Sequence, residues 1–343
     1  MFKSYIKKGK VFIIAEVSAN HAHSFSLAAD SIRVAKECGA NAVKFQTYTP
    51  DTSTIDVDNK YFRIRHAKWG RRTLYDLYRE AYTPWNWFPK LKRIAKKEGI
   101  IFCSTAYDRT AVDFLEDIGV PFHKISSFEL VDTPFIEYVA GKRRPIIMST
   151  GMASTEEIGN ALKSARQGGA REIVLLKCTS SYPAEPSEIH LNTIADMKKR
   201  FGLPVGLSDH TAGIAASVAA VALGAVIVEK HFIVSRSVRS ADNFFSLEPK
   251  EFSALVKNIR LCEKMLGSVH YGMTAGETAS KVFRRSLFAV EEIKKGELFT
   301  ERNVRSIRPS YGLSPCFIGS VLGRIAACRI RKGTPLSWDF IEK

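Results

Sequence analysis

The 343-residue sequence has no CxxC pair, no GxGxxG turn after its first apolar run, no basic run longer than three residues and no apolar stretch of membrane-spanning length. Each absence excludes something. Six cysteines (Cys38, Cys103, Cys178, Cys262, Cys316, Cys328) are scattered, so they suggest neither a zinc site nor a disulfide framework and read as free thiols of a reducing compartment. The longest uncharged apolar segment, 214–228, is interrupted by Ser217 and Gly224. It falls short of the ~20 residues a bilayer demands. The first ten residues carry four lysines but run into a strand-like segment with no cleavage signal. That pattern argues against a signal peptide. These features predict a cytoplasmic protein with no membrane partner, and the missing glycine turn counts against a dinucleotide-binding fold.

Acidic residues are also in short supply. Lysine and arginine number 51 against 35 acids, a net charge of +16. The basic residues are spread along the chain and interleaved with acids, and Lys142-Arg143-Arg144 is as long as any pure run. A nucleic-acid surface would concentrate them with aromatics on one face. The expectation is therefore no nucleic-acid partner and a small anionic substrate.

What the sequence does have is alternation. Eight short β-branched runs (11–17, 42–47, 100–105, 122–126, 145–149, 172–178, 205–209 and 225–231) are separated by helix-like stretches such as 27–38, 85–98, 155–167 and 213–223. Continuous apolar strands alternating with helices imply a covered parallel sheet, and eight units fit a (β/α)8 TIM barrel better than an open doubly wound sheet. The connection 48–99 is too long for a simple crossover and holds an insertion, 51–72, placed as a lid at the active-site end.

After a final helix at 249–266, the texture changes. The expected division is a barrel over 1–266, a Gly-rich linker over 267–281 and a small β-rich domain over 282–343. The last contains a repeat: 293–304 aligns without gaps to 330–341, each copy reading as strand, glycine turn, apolar residue, Ser/Thr cap and short helix.

The ends of the eight runs are unusually polar. A barrel presents its catalytic groups there. Lys44 and Lys124, with Thr105, Ser127, Ser149 and Ser208, offer cations and hydroxyls without adjacent carboxylates, a set suited to a phosphate or carboxylate ligand. The alternative is that one lysine pairs with Glu16 or Glu129 as a structural ion pair. Side-chain alternation puts Lys44 with Gln46, Ser208 with His210, and Glu229 with His231 on common faces. His210 and His231 end the seventh and eighth runs, neighbours in a closed barrel. They are either hydrogen-bonded rim residues or a pair sharing one divalent metal with coordination positions left open.

These residues resemble a family. Ala15-Glu16-Val17-Ser18-Ala19-Asn20-His21, Val43-Lys44-Phe45-Gln46-Thr47, Lys124-Ile125-Ser126-Ser127-Phe128-Glu129, Ser149-Thr150-Gly151-Met152, Leu207-Ser208-Asp209-His210-Thr211 and Val228-Glu229-Lys230-His231-Phe232 resemble the sialic acid synthase (NeuB-like) family. The tail resembles its antifreeze-like (SAF, β-clip) domain, with Arg308-Pro309-Ser310-Tyr311-Gly312-Leu313 matching its loop. The Ser-Ala-Asn-His form of the first motif and the segment 69–83 are similar to the branch acting on a 6-deoxy diacetamido sugar, in place of the Gly-Ile-Asn-His type of the neuraminate and legionaminate enzymes.

The resemblance implies a condensation of phosphoenolpyruvate with an open-chain 2,4-diacetamido-2,4,6-trideoxy-altrose to a nine-carbon ulosonic acid and phosphate. Lys44, Thr105, Lys124, Ser127, Ser149 and Ser208 would hold phosphoenolpyruvate; His210 and His231 would bind a divalent ion (Mn, or Mg or Co). Glu16, Glu129 and Asp242 are candidates for proton transfer and water activation, and Gln46, Tyr182 and Arg308 for sugar contacts. The resemblance further implies a homodimer in which the antifreeze-like domain of one chain caps the barrel of the other. One departure is Ser180, where many sialic acid synthases carry asparagine. A sister synthase for sialic or legionaminic acid and a non-catalytic sugar-binding barrel are the competing readings. Retention of both histidines, both lysines and the carboxylates argues against the last.

Overall fold

A computed structural model describes residues 1–66 and 69–342. Two compact units emerge, Met1–Gly267 and Ser268–Lys343.

In the first unit eight strands close into a parallel barrel in sequence order: β1 (Phe12–Glu16), β2 (Ala42–Thr47), β3 (Ile101–Ala106), β4 (His123–Ile125), β5 (Ile146–Ser149), β6 (Ile173–Cys178), β7 (Val205–Asp209) and β8 (Ile227–His231), with β8 returning to pair with β1. All eight fall on the expected runs. Among the helices expected, Thr155–Gln167 has the expected bounds. Residues 85–98 instead divide into a 3₁₀ turn, Trp85–Trp87, and the α-helix Phe88–Glu98, whose second residue is a proline.

Alternation along each strand sorts residues into two layers. Outward residues such as Ile13, Ala15, Val43, Phe45 and Val228 pack under the helices. Inward ones, Phe12, Ile14, Ala42, Cys103, Phe122, Ile147, Val174, Leu176 and Ile227, fill the barrel interior together with Phe2 from the helix Phe2–Lys7. The Phe2 ring meets Phe12 and Phe122 edge-on at 5.4 and 5.0 Å, and so closes the amino end. Gly206 is the one inward position on β7 with no room for a side chain. A Cβ there would lie 2.4 Å from the Ile227 carbonyl oxygen and 2.7 Å from Leu176. Continuing the inward series towards the carboxyl ends replaces these apolar residues by Glu16, Lys44, Thr105, Lys124, Ser149, Ser208 and Glu229, all buried.

The insertion after β2 contains a hairpin, Arg63–His66 against Gly70–Thr73, followed by the helix Leu74–Ala81. Trp69 donates from Nε1 to the Ala241 carbonyl at 2.8 Å and lies 5.9 Å from the Tyr182 ring, which places that residue over the carboxyl mouth.

The second unit has its own core of Leu287, Ala289, Ile293, Phe299, Val304, Val321, Ala326, Ile330, Leu336 and Ile341. Its repeats meet at equivalent positions: Ile293 and Ile330 exchange both backbone hydrogen bonds, at 2.9 and 2.8 Å, and Gly296 and Gly333 both turn at positive φ. The expected short helix, however, is a 3₁₀ turn in the second copy (Trp338–Phe340) and no helix in the first. There a single turn closes, with the Asn303 and Val304 N–H groups on the Thr300 carbonyl and Asn303 Oδ1 accepting from the Thr300 N–H, and the chain then enters the strand Val304–Ile307 instead of continuing as a helix. Gly312 approaches so close that a Cβ would sit 2.3 Å from the Leu287 carbonyl oxygen.

No helix among the described residues is long and apolar enough to cross a membrane. The six cysteines are free, four of them buried.

Just past β1, His21 is committed to its neutral form. Nδ1 accepts from the His23 N–H at 3.1 Å, which leaves Nε2 to donate to Thr83 Oγ1 at 2.9 Å. Burial, and then the neighbouring His23, push its pKa down to about 3. Between the unfolded value near 6.5 and about 3 the unfolded chain binds the extra proton, so stability falls as pH falls through that window, by at most about 1.4 kcal/mol per unit. Denaturant midpoints of wild type and His21→Gln, measured from pH 7 to pH 4, should converge as the pH drops. A constant difference between them would contradict this account.

Candidate active site at the barrel mouth

The inward residues at the carboxyl ends converge on one carboxylate. Glu229 Oε1 lies 3.5 Å from Lys44 Nζ, 3.7 Å from Lys124 Nζ and 3.4 Å from Ser208 Oγ. Lys44 also meets Glu16 at 2.6 Å and donates to Thr105 Oγ1 at 2.8 Å, while Lys124 donates to Ser149 Oγ at 2.7 Å. Register produces this: Glu16 stands opposite Lys44 and His231, and Glu229 opposite Ser208. The expectation of cations without adjacent carboxylates is therefore wrong. Lys44 does pair with Glu16, as the alternative reading held, but Glu129 pairs with neither lysine; it accepts from Ser126 Oγ. Glu229, not chosen as a site residue from sequence, sits between both ammonium groups.

Electrostatics divide the two acids. Burial lifts Glu16, against the pull of Lys44, to about 7, and the charge of Glu229 adds to the rise. Burial opposes ionisation of Glu229 too, but Lys124 and Lys44 outweigh it and hold its pKa below the ordinary value. Burial lowers Lys124, with Glu229 offsetting part of the fall. Two carboxylates in one buried cluster, one poised near neutrality and the other ionised, can divide proton transfer from charge stabilisation.

Around the lysines lie hydrogen-bonding groups. Ser127 Oγ accepts from the Gly151 N–H at 3.0 Å, and a Cβ on Gly151 would fall 2.1 Å from Ser180 Oγ and 2.8 Å from Ser127 Oγ. That crowding requires glycine at 151 and brings Ser180, left aside on sequence grounds, to the same wall. Gln46 donates from Nε2 to Glu16 at 3.0 Å and to Ser18 Oγ at 2.8 Å.

A second cluster stands on β7, β8 and their loops. The rings of His210 and His231 lie 5.3 Å apart, with Tyr182 at 4.3 Å from His210 and Phe245 at 4.7 Å from His231. His210 Nδ1 is 2.8 Å from the Thr179 carbonyl, so it carries a proton and Nε2 is the nitrogen left for a ligand; burial opposes the charged ring, but Cys178, 3.8 Å from Nδ1, raises its pKa. His231 Nδ1 is buried without a hydrogen-bond partner, Asp242 Oδ2 being 3.7 Å away. Burial, then the neighbouring His210, holds the His231 pKa well below its usual value. Two imidazoles, each with an uncommitted nitrogen, fit one divalent ion. Among the described residues no group of three or more His, Cys, Asp or Glu could hold an ion, and two imidazoles by themselves would leave coordination positions open. Asp242 is buried and bonded by Ser18 and the Ala19 N–H. Burial raises its pKa, against those two bonds.

Of the residues expected at the site, Glu16, Lys44, Gln46, Thr105, Lys124, Ser127, Ser149, Ser208, His210, His231, Asp242 and Tyr182 stand at the barrel mouth, while Glu129 faces Ser126 at its edge. Arg308 belongs to the second unit, after the strand Val304–Ile307. It is exposed and has no hydrogen-bond or ion-pair partner among the described residues. The signal for Glu229 was the alternation that put it with His231; for Gly151 and Ser180 only packing supplies one.

Comparison with known proteins gives the family. Residues 31–271 match the NeuB family and residues 284–342 the SAF domain. The chain is 43% identical to the pseudaminic acid synthase of Campylobacter jejuni over 95% of both sequences. It is 37% identical to that of Helicobacter pylori, over 96% of this chain and 98% of the other. The crystal structure of an N-acetylneuraminic acid synthetase from Leptospira borgpetersenii superposes with a TM-score of 0.70 at 33% identity, covering 79% of this chain and 90% of that one. The chain belongs to the NeuB family.

Proposed function

We propose that this chain is a pseudaminic acid synthase, condensing phosphoenolpyruvate with 2,4-diacetamido-2,4,6-trideoxy-altrose and water to give pseudaminate and phosphate. The observation that carries the chemistry is the pair of buried lysines flanking Glu229, ringed by Thr105, Ser149 and Ser208. A trianionic substrate needs such a cradle, and hydroxyls with a backbone N–H at Gly151 supply directional donors.

Lys44, Thr105, Lys124, Ser127, Ser149 and Ser208 hold phosphoenolpyruvate in this reading. A carbon–carbon bond forms between C3 of phosphoenolpyruvate and the sugar aldehyde carbon, water adds at C2, and phosphate leaves. Glu16, with its pKa near neutrality, can accept and return a proton, and Glu129 and Asp242 are the other candidates for moving protons. Gln46 and Tyr182 orient the sugar. His210 and His231 hold a divalent ion, Mn or else Mg or Co, whose chemistry is polarisation of the aldehyde oxygen. Chelation should abolish turnover. Replacing either histidine with alanine should lower it at least ~10²-fold, a common scale for losing an electrophilic group. Full activity after chelation would remove the metal from the scheme.

The sugar specificity is assigned to the mouth, where Trp69, Tyr182 and Phe245 supply apolar walls suited to a C6 methyl. Discrimination by a single hydroxyl in such a pocket is of the order of 10²-fold. Mass spectrometry of products from a sugar panel should show the 6-deoxy diacetamido sugar preferred. Equal or higher kcat/KM with N-acetylmannosamine would assign the chain to the sialic branch.

Arg308, exposed and unpaired, is proposed to reach the sugar in the barrel of a partner subunit, as the planar guanidinium can hydrogen-bond sugar oxygens in a fixed fork. Mixing Arg308→Ala and Lys124→Ala subunits tests this. In a swapped homodimer both defects fall in one site and the other is restored, so mixed dimers should recover activity. Absence of recovery after verified subunit exchange rules out the swap.

A further inference from the structure

Asp209 and Lys230 each precede a proposed metal ligand, and alternation turns both away from the barrel interior. They face each other: Lys230 stands opposite Asp209 in the β7–β8 register, and Nζ meets Oδ2 at 3.0 Å with both side chains 1% exposed. The remaining capacity is filled. Asp209 Oδ1 accepts from the Thr211 N–H at 2.8 Å and Thr211 Oγ1 at 2.7 Å, and Oδ2 accepts from Ser217 Oγ at 2.5 Å. Lys230 Nζ donates to the Thr211 carbonyl at 2.5 Å.

The placement explains what such a costly group does. The β7–β8 ladder ends at the Asp209–Lys230 pair, so His210 lies just beyond the last residue that β8 holds by sheet pairing. The Lys230 ammonium binds the side chain of the residue before His210 and the carbonyl of the residue after it. One cation thus clamps the His210 backbone to the strand that carries His231. Replacing a buried ion pair with apolar residues of similar volume often leaves stability unchanged or raises it, so stability alone is weak reason for the pair.

We infer that Asp209 and Lys230 are positioning residues that set the His210–His231 spacing and thereby the affinity and geometry of the divalent-ion site. This rests on the reading of the two histidines as metal ligands. The decisive variant is the double substitution Asp209→Asn with Lys230→Met, which removes both charges together. Outer partners of metal ligands typically govern affinity by 10- to 100-fold.

Co²⁺ is the probe, read by calorimetric affinity and by its d–d absorption, beside thermal midpoints and steady-state kinetics. The double variant should keep a cooperative transition close to wild type while binding Co²⁺ ~10-fold or more weakly, with an altered spectrum. Its kcat should fall with KM for phosphoenolpyruvate little changed, because that cradle stands on other side chains. Wild-type affinity and spectrum in the double variant, with both lost in His210→Ala and His231→Ala, would overturn the positioning role alone. No Co²⁺ binding by the wild type would overturn the metal reading and this inference with it. Should the double variant fail to fold, Ser217→Ala removes one support of Asp209. A weakening of about threefold or more at unchanged thermal midpoint upholds the inference, and unchanged affinity overturns it.

Discussion

Everything at the mouth of this barrel depends on holding charge where water is scarce. Glu229, Glu16, Lys44 and Lys124 are all buried, and none could stay ionised there alone. Their pairing makes the cluster tolerable, while the unequal shares of burial and attraction leave Glu16 near neutrality and Glu229 ionised. In the proposed reaction an incoming phosphate and carboxylate compete with Glu16 and Glu229 for the same ammonium groups. Anion binding and the protonation of Glu16 are then two sides of one equilibrium.

The closed barrel provides the frame for that cluster. Its interior is apolar from Phe2 up to Leu176, and the change to polar side chains occurs within one inward step along every strand but β6, whose next inward residue is Cys178. The helices contribute little to the site directly, and the loops contribute more. Tyr182, Phe245, Asp242 and Trp69 all come from connections, and they meet because the strands fix where each connection starts. Asn20, bonded to the Phe232 carbonyl and Ser246, ties the loop after β1 to the one after β8.

Much of this could be read from the residues in order. Period-two alternation put Lys44 with Gln46, Ser208 with His210 and Glu229 with His231 on common faces of β2, β7 and β8, and β-branched runs located all eight strands. What could not be read was pairing between distant segments. Lys44 and Glu229 are neighbours only because barrel closure sets β1 between them, and Gly151 is required only because Ser127 and Ser180 crowd it from two other strand ends. The missing helix in the first copy of the C-terminal repeat was a different failure. Thr300 does start a turn, but Val304 pairs with Ala289 as the first residue of a strand and stops it after one turn, whereas the second copy has a 3₁₀ turn at Trp338–Phe340.

Closure between β1 and β8 also has a kinetic side. It joins Phe12 to Ile227, segments from opposite ends of the barrel sequence, and Phe2 can bury its ring only against a wall that includes Phe122. Contacts of such sequence separation are slow to form, because loop entropy is lost before they reward it. Until β8 arrives, β1 presents an unpaired apolar edge, the kind of surface through which partly folded chains associate. The same ring of strands that shelters the buried charges in the finished molecule therefore makes the emerging chain dependent on its last strand for solubility.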